Sequence, residues 1–81
     1  MMRFMDALYE LQVAFQEDND YLNAQSIATA IDLWDAFNKP RDPMGAAPRL
    51  RAALCANKSN DAEGAEGYEF ALALLDEYYP Q

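Results

Sequence analysis

The sequence predicts an all-α protein, a compact bundle of three or four helices forming a single domain over residues 1–81. Three observations carry this. Apolar residues recur at helical spacing through long segments, no stretch of four or more residues alternates with the period of a strand, and short polar or proline-bearing breaks separate the helical segments. The 81 residues are 52% apolar and include four Phe, one Trp and five Tyr, enough to drive collapse despite the charge. A chain of this length has room for one modest core and no second domain.

The first helix is expected from about Met2 to Glu17, because Phe4, Leu8, Leu11 and Phe15 follow one another at steps of four, three and four. Asn19 or Asp20 then stands ready to cap a second helix over Tyr21 to Phe37. Its apolar face is broad, with Ile27, Ile31 and Trp34 widened by Ala30, Leu33 and Phe37, and such a face suits the most buried helix of the set. Lys39 to Pro48 holds three prolines and one glycine in ten residues and is the one clear loop. Pro48 suits the first position of a shorter third helix reaching about Ala56 and buried through Leu50 and Leu54. Asn57 to Asp61 predicts a turn. The last helix is expected over Ala62 to Tyr79, with Ala65, Tyr68, Leu72, Leu75 and Tyr79 in register and a start weakened by Gly64 and Gly67 by about 1 kcal/mol each.

Charge is segregated along the chain. Fourteen acidic residues against six basic ones give a net charge of -8. Residues 1–38 carry seven acids and one base, 39–58 carry five bases and one acid, and 59–81 carry six acids and no base, so the three balances are -6, +4 and -6. A chain so acidic is a poor direct ligand for nucleic acid, since binding phosphates requires cations to displace their counterions. A basic protein surface is the complementary partner.

At about 100° per residue, Asp6, Glu10 and Glu17 form a row along one edge of the first helix. Glu63, Glu66, Glu69, Asp76 and Glu77 are expected as a second row on the last helix, opposite its apolar stripe. Repeated like charges cost an isolated helix a few tenths of a kcal/mol per pair. The functional reading is that the rows imitate the anions of a nucleic-acid backbone; the plainer one is that they are solvated faces that keep the protein soluble. Arg49, Arg51 and Lys58 are candidates to satisfy some of these carboxylates internally. Phe70 points toward the acidic side of the last helix and is the candidate aromatic anchor for a partner, unless it packs under the proline-rich loop.

Catalytic parts are missing. With no histidine and one cysteine, Cys55, there is no standard triad, no disulfide within the chain and no cysteine-based zinc cluster. Ser26 and Ser59 lack an activating context, and Asp32 with Asp35 reads as a solvated edge beside Trp34. Asp18-Asn19-Asp20 opens like a calcium loop, but Asn23 stands where its glycine belongs and Thr29 where its closing glutamate belongs. No cofactor or metal is expected. No apolar run approaches a membrane span of roughly 20 residues, nor does a signal-peptide core form before Asp6 and Glu10, so a soluble cytoplasmic protein is expected.

In size, acidity and lack of a catalytic set, the chain resembles the anti-CRISPR proteins, small inhibitors that phages and mobile elements make against bacterial defences. It carries no motif of that group, which has no common sequence pattern, so no residue role transfers. The resemblance implies a stoichiometric inhibitor seated on the nucleic-acid-binding surface of a defence effector. The expectation is a non-enzymatic binder, monomeric or homodimeric, using Asp6, Glu10, Glu17, Glu63, Glu66, Glu69, Phe70, Asp76 and Glu77. The alternatives are a helical adaptor or homodimer relying on Trp34, Phe37 and the tyrosines, and an antidote to a basic toxin.

Overall fold

The computed structural model describes residues 2–80, which form four helices and no strand: α1 Phe4–Glu17, α2 Tyr21–Phe37, α3 Pro43–Asn60 and α4 Ala65–Tyr78. Consecutive helices run up and down. Phe4 at the start of α1 meets Trp34 near the end of α2, and Arg51 and Lys58 of α3 meet Asp76 and Glu69 of α4 in reverse order. α2 touches all three other helices, whereas α1 and α3 share no contact, so they flank the α2–α4 pair from opposite sides.

The predicted stripes supply most of the core, with Ala71 added to it and Leu11, Phe15, Leu33, Phe37, Leu72 and Tyr79 only partly buried against it. Leu8, Ile27, Ala30, Leu50, Leu54, Ala71 and Leu75 are completely enclosed, with Phe4, Ile31, Trp34 and Tyr68 nearly so. At about 1.5–3 kcal/mol per fully buried large aliphatic side chain, these few residues supply most of the drive for folding. α2 contributes the largest number of buried residues, as its broad apolar face requires. At one pole of the bundle Phe4 stands edge-on to Trp34 at 4.9 Å, and Tyr79 stacks on Trp34 at 5.3 Å. Trp34 therefore closes the core and is not a surface anchor.

Four boundaries differ from the expectation by more than one residue. α1 starts at Phe4 and not Met2, with the Arg3 amide donating to Asp6 Oδ2 at 3.4 Å. α3 starts at Pro43, five residues before Pro48, because Asp42 accepts from the Gly45 amide at 3.3 Å and Pro43 occupies the first turn, where no N–H is needed. Pro48 then lies inside the helix and cannot donate to the Met44 carbonyl, a loss tolerated because Met44 and Pro48 are both exposed.

The predicted turn at Asn57 to Asp61 is helical as far as Asn60. Asn57, Ser59 and Asn60 each donate from their side chains to the carbonyl four residues back, at 2.8, 3.1 and 3.0 Å, so these turn-favouring residues are accommodated within the helix they were expected to end. The consequence falls on the last helix. It starts at Ala65 and not Ala62, and Glu63 lies in the preceding turn and not on α4.

Asp20 caps α2 as expected, accepting from the Asn23 amide at 3.3 Å, after a turn in which Asn19 takes a left-handed conformation (φ 59°). No helix among the described residues is long and apolar enough to cross a membrane.

Candidate functional site: the acidic face of α1 and α4

α1 and α4 lie antiparallel with their flanks exposed, and the space between them is an open groove of about 600 Å³. Ala7, Leu11 and Ala14 line it from α1, and Phe70, Ala73 and Leu74 from α4. Small residues on both helices keep the groove from filling, and one end is closed by Phe70 standing edge-on to Phe15 with ring centroids 5.6 Å apart. Phe70 thus packs on α1 and is still 45% exposed, an aromatic available to a partner.

Charge completes the site. Glu10 on α1 and Glu77 on α4 line the groove from opposite sides, and no cation does so among the described residues. Asp6 and Glu17 extend the α1 rim by helical register, and Glu66, one turn before Phe70, extends the α4 rim. All three are exposed.

The expected row on α4 is divided. Successive residues turn by about 100°, which places Glu66 and Glu77 on the α1 side and Glu69 and Asp76 on the α3 side. Lys58 reaches Glu69 at 3.0 Å, and Arg51 donates to Asp76 through Nη1. These two carboxylates are satisfied within the fold and do not belong to the groove. Because α3 and α1 lie on opposite sides of the bundle, the cations of α3 neutralise one flank of α4 and leave the other bare.

Beyond the closed end of the groove lies a strongly acidic pole. The turn between α1 and α2 brings Glu17, Asp18 and Asp20 to the same end as Asp61 and Glu63 of the α3–α4 turn and Glu66 at the start of α4. Two buried polar residues of α2 tie these turns together. Asn23 Oδ1 accepts from the Gly67 amide at 2.8 Å while its Nδ2 donates to Asp20 at 2.7 Å, and the Ser26 hydroxyl donates to the Gly64 carbonyl at 2.7 Å. Gly67 makes this approach possible, since a Cβ there would meet the Asn23 carbonyl oxygen at 2.6 Å. Of the residues expected to bind a partner, the fold gathers Glu10, Glu17, Glu66, Phe70 and Glu77 on one face, with Asp6 at its far end and Glu63 at the acidic pole.

Leu11, Ala14, Ala73 and Leu74 were absent from that expectation. Ala14 and Leu11 belong to the first helix's apolar pattern, but no local signal makes α4 the neighbour across which they form a groove. Among the described residues, no three acidic or cysteine side chains are grouped to hold a metal ion. Compared with known proteins, the chain matches no family model, and neither a curated protein nor a solved structure gives a significant match.

Proposed function

We propose that this chain is a non-catalytic inhibitor, acting in the cytoplasm, that docks its α1–α4 face on a basic surface of a nucleic-acid-binding protein and blocks access of the nucleic acid. An effector of bacterial defence, the kind of target that anti-CRISPR proteins occupy, is the partner class this reading favours. The observation that carries it is the groove itself: an apolar floor with an exposed aromatic, carboxylates on both rims and no lining cation among the described residues. Apolar contact supplies affinity, and the bare carboxylates supply orientation and a fast approach to a positive partner. A two-fold dimer through the same groove would set the rim carboxylates of one copy against those of the other, so the charge favours a foreign basic partner over self-association.

The experiment is capture by the tagged chain from lysate of the organism that encodes it, in parallel with a Glu10→Lys/Glu77→Lys double variant. The proposal expects a nucleic-acid-binding protein that is retained by the parent, lost by the variant and displaced by its own nucleic acid. A partner held equally by both forms, or one that binds the chain and its nucleic acid together, would overturn it.

A further inference from the structure

The pole opposite the acidic one holds a second cavity of about 920 Å³, where the start of α1, the end of α2, the α2–α3 connection and the end of α4 meet. We propose that this cavity binds a small planar aromatic anion, with the ring against the aromatic wall and the anionic group between Arg3 and Arg41. The cavity adjoins the α1–α4 groove at Met2 and Tyr78, which line both, but neither proposal depends on the other.

The first argument is charge. The chain has six cations in all, and Arg3, Lys39 and Arg41 line this one cavity. Among the described residues its only lining carboxylate is Asp35, which Lys39 holds at 3.3 Å. The lining residues therefore sum to +2 in a protein of net charge -8. Arg3 and Arg41 pair with no carboxylate among the described residues. Their guanidinium groups come from separate segments, and each presents a planar set of donors suited to a phosphate or carboxylate. The connection carrying Arg41 is tied back to α2 by the Asp42 amide, which donates to Asn38 Oδ1 at 2.8 Å.

The second argument is the wall. Phe4, Trp34, Tyr78 and Tyr79 line the cavity, and Tyr79 and Trp34 already stack with their ring planes 28° apart. Tyr79 is only half-buried, so a ligand ring can extend that stack. Volumes of about 300–1,000 Å³ are usual for sites that enclose a small molecule. A long polyanion is disfavoured, because beyond the cavity it would run along a surface dominated by carboxylates. A small anion meets only the local positive charge.

The test is an amide NMR titration with adenosine 5′-monophosphate and, as a carboxylate counterpart, indole-3-acetate. Adenosine and inorganic phosphate serve as the two halves of the first probe. The indole N–H of Trp34, the chain's single tryptophan, reports from the cavity wall. Saturable shifts confined to the cavity are expected with at least one of the aromatic anions, with adenosine and phosphate each binding about tenfold more weakly. Arg41→Glu and Arg3→Glu should each weaken binding about tenfold, whereas Arg49→Glu, the same charge change on the exposed surface of α3, should leave it unaltered. An unchanged spectrum away from the substituted site verifies the fold of each variant. Absence of saturable shifts with both aromatic anions at millimolar concentration, or equal weakening by Arg49→Glu, would overturn the proposal.

Discussion

The side chain of Asn23 and the backbone amide of Gly67, 44 positions apart in sequence, are joined by a 2.8 Å hydrogen bond buried between α2 and α4. Through it the cap of α2 and the first turn of α4 become one unit, since the same carboxamide donates to Asp20. The acidic pole and the closed end of the α1–α4 groove are held in place by this contact.

Replacing Asn23 with alanine leaves the Gly67 N–H buried without its acceptor and removes support from the α2 cap. A loss of about 1–3 kcal/mol is expected, the usual cost of orphaning a buried polar group. Urea denaturation of Asn23→Ala beside an exposed control such as Gln25→Ala measures it, and equal midpoints would refute the role given to Asn23.

Gly67→Ala would raise stability if helix propensity decided, since alanine is favoured over glycine by about 1 kcal/mol in a helix. The structure predicts the opposite. The added Cβ would lie 2.6 Å from the Asn23 carbonyl oxygen and 2.7 Å from Ser26 Cβ, and a backbone atom cannot step aside cheaply. A thermal midpoint lower than that of the parent is the expected result, with overpacking of this kind costing about 1–3 kcal/mol.

Asp76 and Glu69 both receive a cation from α3, but the two pairs differ in worth. Nε and Nη2 of Arg51 are buried without a partner among the described residues, so Asp76 alone offsets the desolvation of that guanidinium. Lys58 is better solvated. Asp76→Ala should therefore cost about 1–3 kcal/mol, and Glu69→Ala about 0–1 kcal/mol. Chemical denaturation of the two variants in the same buffer compares them directly.

Charge reversal separates the two flanks of α4. Glu66→Lys and Glu77→Lys, on the α1 side, should abolish binding of a basic partner and leave the fold intact, because both side chains are exposed. Reversal at Glu69 instead places two cations together and should lower stability by a few tenths of a kcal/mol with a smaller effect on binding. Affinity of the parent chain should fall steeply with added salt, as screening shortens the reach of the rim carboxylates. Binding measured by calorimetry at two salt concentrations checks this, and indifference to salt would count against a charged docking face.

Phe70→Ala is expected to reduce partner affinity more than stability. The ring is 45% exposed and its contact with Phe15 is worth about 0.5–1.5 kcal/mol beyond area burial, while an interface anchor commonly carries 2 kcal/mol or more. Parallel measurements of the melting midpoint and of partner affinity decide between an anchor and a packing residue.

The helical class, the stripe from Phe4 to Phe15, the cap at Asp20 and the core positions of α2 were legible because each depends on neighbours within a few residues. The boundaries of α3 were not. Pro48 and Pro43 are both acceptable first-turn prolines, and only the Asp42 cap favours Pro43. Asn57, Ser59 and Asn60 suit a turn or a helix end equally well until their side chains are seen bonding back to the carbonyls of Ala53, Cys55 and Ala56.

By itself the sequence determined that this is a helical protein with two acidic arms around a basic middle, because hydrophobic period and formal charge are properties of the chain. Which carboxylates stay bare was decided by the tertiary structure alone. Glu69, Asp76 and Glu77 are alike in sequence, but α3 packs on one side of α4 and α1 on the other. Arg51 and Lys58 therefore reach the first two, while Glu77 is left with Glu10 across an apolar groove. Coulomb attraction acts between neighbours in space, and no spacing along the chain specifies which helix stands opposite another.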